Sequence, residues 1–154
     1  MTFSFSCVVV SLPGPFVDGL KLGISCKQSD WQLSALAQVC SSFSQAFVPA
    51  VEHLFIVEDG FSPRPRWQYD IENNQWLELL RPFTTVKSLF IPQMYAPPIA
   101  PALLELVGER ANEVLPALQN IWLEQPSKRA QETIEQMLSH RPIAVRNWDG
   151  EACM

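Results

Sequence analysis

A spaced apolar phrase recurs along this chain and limits what it can fold into. It reads Val48-x-x-Val51-x-x-Leu54-x-Ile56, then Phe83-x-x-Val86-x-x-Leu89-x-Ile91, then Leu115-x-x-Leu118-x-x-Ile121-x-Leu123. A looser copy, Phe16-x-x-Gly19-x-x-Leu22-x-Ile24, precedes these three. The last apolar positions, 24, 56, 91 and 123, lie 32, 35 and 32 residues apart, a period of the size that marks stacked repeats. The alternating end of each phrase suits a strand, and the sequence between phrases has helical spacing. A unit of one strand and one helix cannot bury its apolar face alone and needs neighbours on both sides. Strands that alternate with helices imply parallel pairing through right-handed crossovers. The expected fold is therefore α/β, a solenoid with parallel strands on one face and helices on the other. Strands are expected near 5–10, 20–25, 51–57, 86–91, 118–123 and 143–147, in a single repeat domain over residues 1–154.

The intervening helices carry their own start and stop signals. Ser29-Asp30-Trp31-Gln32 has the form of a capping box and introduces Leu33, Leu36, Val39, Cys40 and Phe43 at helical spacing, which predicts a helix from about 30 to 45. A second helix is expected from near Asn74, with Trp76, Leu79, Leu80 and Phe83 on one side, ended by Pro82. Pro97, Pro98 and Pro101 suit a helix's first turn, and Leu103, Leu104, Leu106 and Val107 lead to Gly108 as a terminator, with a weak extension to Val114. A fourth, strongly amphipathic helix places Ala130, Ile134, Met137 and Leu138 on one face before Pro142. The extra length of the second repeat falls between Val57 and Asn73. There Asp59-Gly60 and Pro63-Arg64-Pro65-Arg66 predict a long, stiff surface loop.

Composition narrows the function classes. Of 154 residues, 47% are apolar, enough for a real core and a soluble globular domain. Sixteen acidic residues against eleven basic ones give a net charge of −5, and no basic run exceeds Lys128-Arg129. That balance excludes nucleic acid and anionic membrane as partners. Cys7, Cys26, Cys40 and Cys153 have neither C-x-x-C spacing nor the density of a disulfide framework. They read as reduced thiols of an intracellular protein, cytoplasmic or nuclear, with Cys40 on the apolar side of its helix. Met1 to Leu12 lacks a basic start and is too short to span a bilayer, so it reads as a strand. Repeat arrays normally open with a polar capping unit. This chain opens with bare strand-forming sequence, as expected of one end of a longer protein.

The phrases resemble leucine-rich repeats of the longer, helix-containing kind, with L-x-x-L-x-x-L-x-L in place of the shorter asparagine-bearing form. The chain is also similar to a family of fungal F-box-type proteins. The resemblance rests on Gly19 to Cys26, Asp30-Trp31-Gln32-Leu33-Ser34, Trp76 to Phe83, Ile99-Ala100-Pro101-Ala102-Leu103, Glu113 to Ile121, and Pro142-Ile143-Ala144-Val145 with Trp148. Those residues span most of 16–148. The F-box itself, the short helical module that docks on a cullin-type ubiquitin ligase, is missing from the pattern. What the resemblance implies is the C-terminal repeat region of such an adaptor, the part expected to recognise substrate, with no catalytic residues to carry over.

Candidate site residues follow from strand alternation. If Leu54 and Ile56 face the core, His53 and Phe55 face the open side, as do Lys21 and Gly23, Ser88 and Phe90, Asn120 and Trp122, and Ala144 and Arg146. Phe55, Phe90 and Trp122 then stand side by side on adjacent strands. Leaving three such rings in water forgoes roughly 1.5–3 kcal/mol each, a sum approaching the whole stability of a domain, about 5–15 kcal/mol. Either a partner covers the row or another part of the chain does. The expected partner-binding residues are Phe55, Phe90, Trp122, His53 and Asn120, meeting a protein or peptide. His53 and His140, the two histidines, have no ligand-like spacing, and Glu52, Glu58 and Asp59 read as a solvated acidic edge. No G-x-S-x-G elbow, phosphate-binding glycine loop or H-E-x-x-H occurs.

The leading expectation is a non-catalytic protein-interaction module without cofactor, metal or catalytic residues. Two alternatives stay open. One is a small hydrolase or transferase with its site at the strand C-terminal ends, near Ser25, Glu58, Pro92 and Glu124. The other is a truncated relic, marginally folded because its first strand presents an uncapped edge.

Overall fold

The computed structural model describes residues 2–8, 20–25, 29–42, 51–58, 73–93, 96–105, 112–139 and 141–149. In chain order the elements are β1 (Thr2–Val8), β2 (Leu20–Ser25), α1 (Ser29–Ser42), β3 (His53–Glu58), α2 (Asn73–Leu80), β4 (Ser88–Ile91), α3 (Ala96–Glu105), β5 (Asn120–Glu124), α4 (Lys128–Met137) and β6 (Ala144–Trp148). The six strands form one sheet in the order β2-β1-β3-β4-β5-β6. From β3 to β6 the strands are all parallel and follow chain order, with a helix between each successive pair. This is the α/β alternation that the phrases predict.

The repeat is visible residue by residue. Register pairs Leu54 with Leu89 and Leu89 with Ile121, and all three are fully buried, as are Ile56, Ile91 and Leu123. The earlier phrase positions Val51, Val86 and Leu118 are buried too, yet they lie in the turns before the strands rather than in the ladder. Backbone bonds explain the later strand starts. Glu52 O accepts from Lys87 N at 2.8 Å and Ser88 N at 3.1 Å, and Lys87 O accepts from Gln119 N and Asn120 N, both at 2.9 Å. Gln119 O accepts from Ala144 N at 2.8 Å. Each of β4, β5 and β6 is thus aimed by a carbonyl of the unit before it.

One core holds these strand residues together with Ala37 and Cys40 of α1, Trp76, Leu77, Leu79 and Leu80 of α2, Ile99 and Leu103 of α3, and Ile134 of α4. All four helices therefore share the Leu54/Ile56 face. The apolar positions of α4 recur at helical spacing, which is why Ile134 and Leu138 are buried while Glu132, Thr133, Glu135 and Gln136 are exposed. Pro82 stops α2 as expected: the last i→i−4 bond is Arg81 N to Leu77 O at 2.9 Å, and Phe83 N then turns to Leu80 O at 3.1 Å.

Three expectations are corrected. β1 does not stack as an outer strand. It runs antiparallel to both neighbours, pairing Phe5 with Leu22 on one side and with Ile56 on the other, so β2 reaches the sheet only through β1. The sequence between β1 and β2, with Pro13-Gly14-Pro15, suits a direct antiparallel connection, whereas a parallel crossover needs a dozen or more residues and usually a helix. The first strand is consequently not the sheet edge. Pro101 lies inside α3, beyond the first turn. Val114 is not helical: residues 112–117 form bends and turns, with Leu115 at φ 48°. That left-handed backbone is disfavoured for leucine, and the complete burial of its side chain holds it there.

The loop expected over 57–73 falls at 59–72 outside the described residues, as do Cys26, Cys153, His140 and Trp67. The side chains of Lys21, Cys7, Trp31 and Glu58 lie outside them as well. Among the described residues no helix is long and apolar enough to cross a membrane.

Candidate functional site

The face of β3–β6 turned away from the helices carries three cross-strand rows. Register places His53, Ser88, Asn120 and Ala144 in the first, and Phe55, Phe90, Trp122 and Arg146 in the second. Glu124 and Trp148 are opposite each other in the third. Alternation along a strand dictates this outcome once Leu54, Leu89 and Ile121 face the core.

The second row is a continuous aromatic stack. Phe55 and Phe90 lie with ring centroids 4.1 Å apart and planes 15° from parallel. Phe90 and Trp122 follow at 5.6 Å and 6°. Trp148, from the last strand, meets Phe90 edge-on at 5.4 Å and 79°, and Phe55 at 6.1 Å and 66°. His53 is tilted against Phe90 at 6.4 Å. Offset stacked and T-shaped pairs are the arrangements that aromatic quadrupoles favour. The rings shelter one another unevenly: Phe55 is 8% exposed, whereas Phe90, Trp122 and Trp148 are only partly buried.

Polar groups border the stack. Arg146 spreads its guanidinium over Trp122, 5.5 Å from the ring centroid, and its Nε donates to Asn120 Oδ1 at 3.2 Å. Ser88 is the buried polar residue between His53 and Asn120, 6% exposed. The Nε1–H of Trp148 is buried and has no hydrogen-bond acceptor among the described residues. Below the first row, Lys87 Nζ meets Glu52 Oε1 at 2.6 Å. That hydrogen bond and the lysine's charge hold the Glu52 carboxyl below the ordinary carboxylate range.

The five residues expected to meet a partner, His53, Phe55, Phe90, Asn120 and Trp122, therefore lie together on one face. Sequence reasoning omitted Trp148, although counting two further along β6 from Arg146 reaches it. It also missed the bond between Arg146 and Asn120. The acidic edge resolves differently, since Glu52 is occupied by Lys87.

At the strand C-terminal ends, Pro92 is buried and Glu124 partly buried, and Gln125 turns the chain with φ 38°. An open cleft with polar walls, including Gln38, Ser41, Glu78 and Arg81, lies instead in the helix layer between α1 and α2. Among the described residues, no group of three or more His, Cys, Asp or Glu side chains could hold a metal ion. Cys40 packs in the core 2% exposed, and burial pushes its thiol up to about 11. No known protein family, curated protein or solved structure matches this chain.

Proposed function

We propose that this chain is a non-catalytic recognition module, a leucine-rich-repeat-like solenoid that binds a protein segment on its sheet face. The observation that carries this reading is the unbroken row Phe55–Phe90–Trp122, partly accessible and flanked by Arg146, Asn120 and Trp148. Clustered aromatics with an arginine at the rim have the composition of interface anchors. Aromatic rings supply large contact area with few rotatable bonds, so they lose little freedom on binding. The F-box-type resemblance extends the reading: the module would select substrate for a cullin-type ubiquitin ligase, whose docking F-box would come from outside these 154 residues.

The test is quantitative binding to a purified partner. Proximity cross-linking in the native cell supplies candidates, and each is titrated calorimetrically against the wild-type chain and Trp122→Ala. Trp122 is the ring to change because it is partly accessible and, among the described aromatics, stacks on Phe90 alone. Truncating an anchor of this kind costs about 2 kcal/mol or more of binding, roughly thirtyfold in affinity. A partner bound equally by wild type and a folded Trp122→Ala variant would refute the sheet face as the recognition surface. Co-precipitation of a ligase subunit with the same partner would support the adaptor role separately.

A further inference from the structure

Building on that reading, we propose that Arg146 makes the aromatic face selective for a peptide segment bearing a carboxylate beside an aromatic or aliphatic side chain. The guanidinium is already positioned. Its Cζ lies 5.5 Å from the Trp122 ring centroid, and the bond to Asn120 Oδ1 consumes the Nε–H. No described residue accepts a hydrogen bond from the terminal nitrogens, and Arg146 forms no ion pair with a described carboxylate. The contrast with other cations is direct: Lys87 is paired with Glu52 at 2.6 Å, and Lys128 faces Glu132 at 3.8 Å. Glu124 shares the sheet face with Arg146 and lies one row away, yet the two do not pair.

An exposed guanidinium held over an indole and tied through its Nε presents a planar fork that matches a carboxylate. Because the fork is pre-oriented, less freedom is lost when the carboxylate arrives. A phosphoryl group fits less well. Its near-double charge is usually met by clustered arginines, and on this face Arg146 has no second unpaired cation beside it among the described residues. With a net charge of −5, the whole chain does not draw acidic segments from a distance. Discrimination must therefore come from this local contact, with the neighbouring rings taking the apolar side chain.

The experiment is selection of phage-displayed random dodecapeptides on the full-length chain, on Arg146→Gln and on Arg146→Lys. Each is first shown to melt cooperatively, and each is sized by light scattering at the panning concentration. The expected wild-type consensus places Asp or Glu at a fixed spacing from an aromatic or aliphatic residue. Arg146→Gln should keep the apolar preference and lose the acidic one, and Arg146→Lys should restore it in part. A synthetic consensus peptide should bind Arg146→Gln about tenfold more weakly. An apolar consensus with no acidic residue, or an acidic one unchanged in Arg146→Gln, overturns the proposal and leaves the aromatic platform standing. No consensus on the wild type overturns both. A dimer that Arg146→Gln dissociates would make a second copy of the chain the occupant and would also overturn it.

Discussion

Replacing Phe90 by alanine tests whether the exposed-side rings hold one another in the free protein. Full burial of a phenylalanine side chain is worth about 1.5–3 kcal/mol, so a partly buried one contributes roughly 1 kcal/mol. Phe90 also contacts Phe55, Trp122 and Trp148 in favourable ring geometries. At about 0.5–1.5 kcal/mol per pair beyond area, these contacts add roughly 2 kcal/mol, allowing for exposure at the rim. The expected loss is therefore about 3 kcal/mol, at the low end of the range for Phe→Ala in cores. It would be a large fraction of the total stability of a domain, about 5–15 kcal/mol. The assay is urea unfolding followed by far-ultraviolet circular dichroism, with Phe55→Ala and the double variant completing a cycle. A coupling of about 1 kcal/mol is expected between these stacked rings. Leu89→Ala, one residue away on the opposite face and fully buried, calibrates the core side at about 2–5 kcal/mol. A Phe90→Ala loss under about 0.5 kcal/mol, or an additive cycle, would refute the claim that the stack is self-supporting.

Cys40 should resist alkylation by iodoacetamide in the native protein and react once the chain is unfolded in urea, because burial raises its thiol to about 11. The same shift sets a pH dependence. The unfolded thiol ionises above 9.0 while the folded one stays protonated, so this residue's contribution to stability is full below that pH and declines as pH rises toward 11. Cys40→Ala should flatten the alkaline part of the stability profile, as measured by chemical denaturation across that range. Gln125→Gly should stabilise the fold by about 0.5–1 kcal/mol: left-handed backbone costs a non-glycine residue roughly 1–2 kcal/mol, and glycine's extra unfolded freedom returns about half. Gln125 is exposed with φ 38°, and its N–H bond to Trp148 O, 3.1 Å, survives the change. A lower thermal midpoint for this variant would contradict the assignment of strain.

Much of this arrangement could be read from the chain because its information is local and repeated. Leu54, Leu89 and Ile121 recur at matching places in the phrase, so one alternation rule orients all three, and their odd-numbered or even-numbered neighbours are assigned to the other face with them. Helix stops were legible for the same reason, since Pro82 acts on the residues just before it. What escaped was non-local. Nothing in Phe3 to Val8 announces that β1 will insert between β2 and β3, because either neighbour offers it a ladder and the choice depends on the connection. The phrases set the strand starts early because Val51, Val86 and Leu118 are as apolar as ladder residues, although they are buried before the strands. The place of Trp148 is not legible strand by strand, because it depends on reaching across the sheet to Phe90 and Phe55. Arg146 bonding Asn120 is a contact between side chains on adjacent strands, which a reading strand by strand does not pair.

The carbonyls of Glu52, Lys87 and Gln119 act as a ruler. Each marks where the next strand begins, although the stretches of chain between these marks differ in length. Length changes confined to the loops between the marks can therefore be absorbed without shifting the strands, whereas a backbone change at a mark removes the bonds that aim the next strand. A chain built this way can vary widely in what it carries between strands while keeping its aromatic face in line.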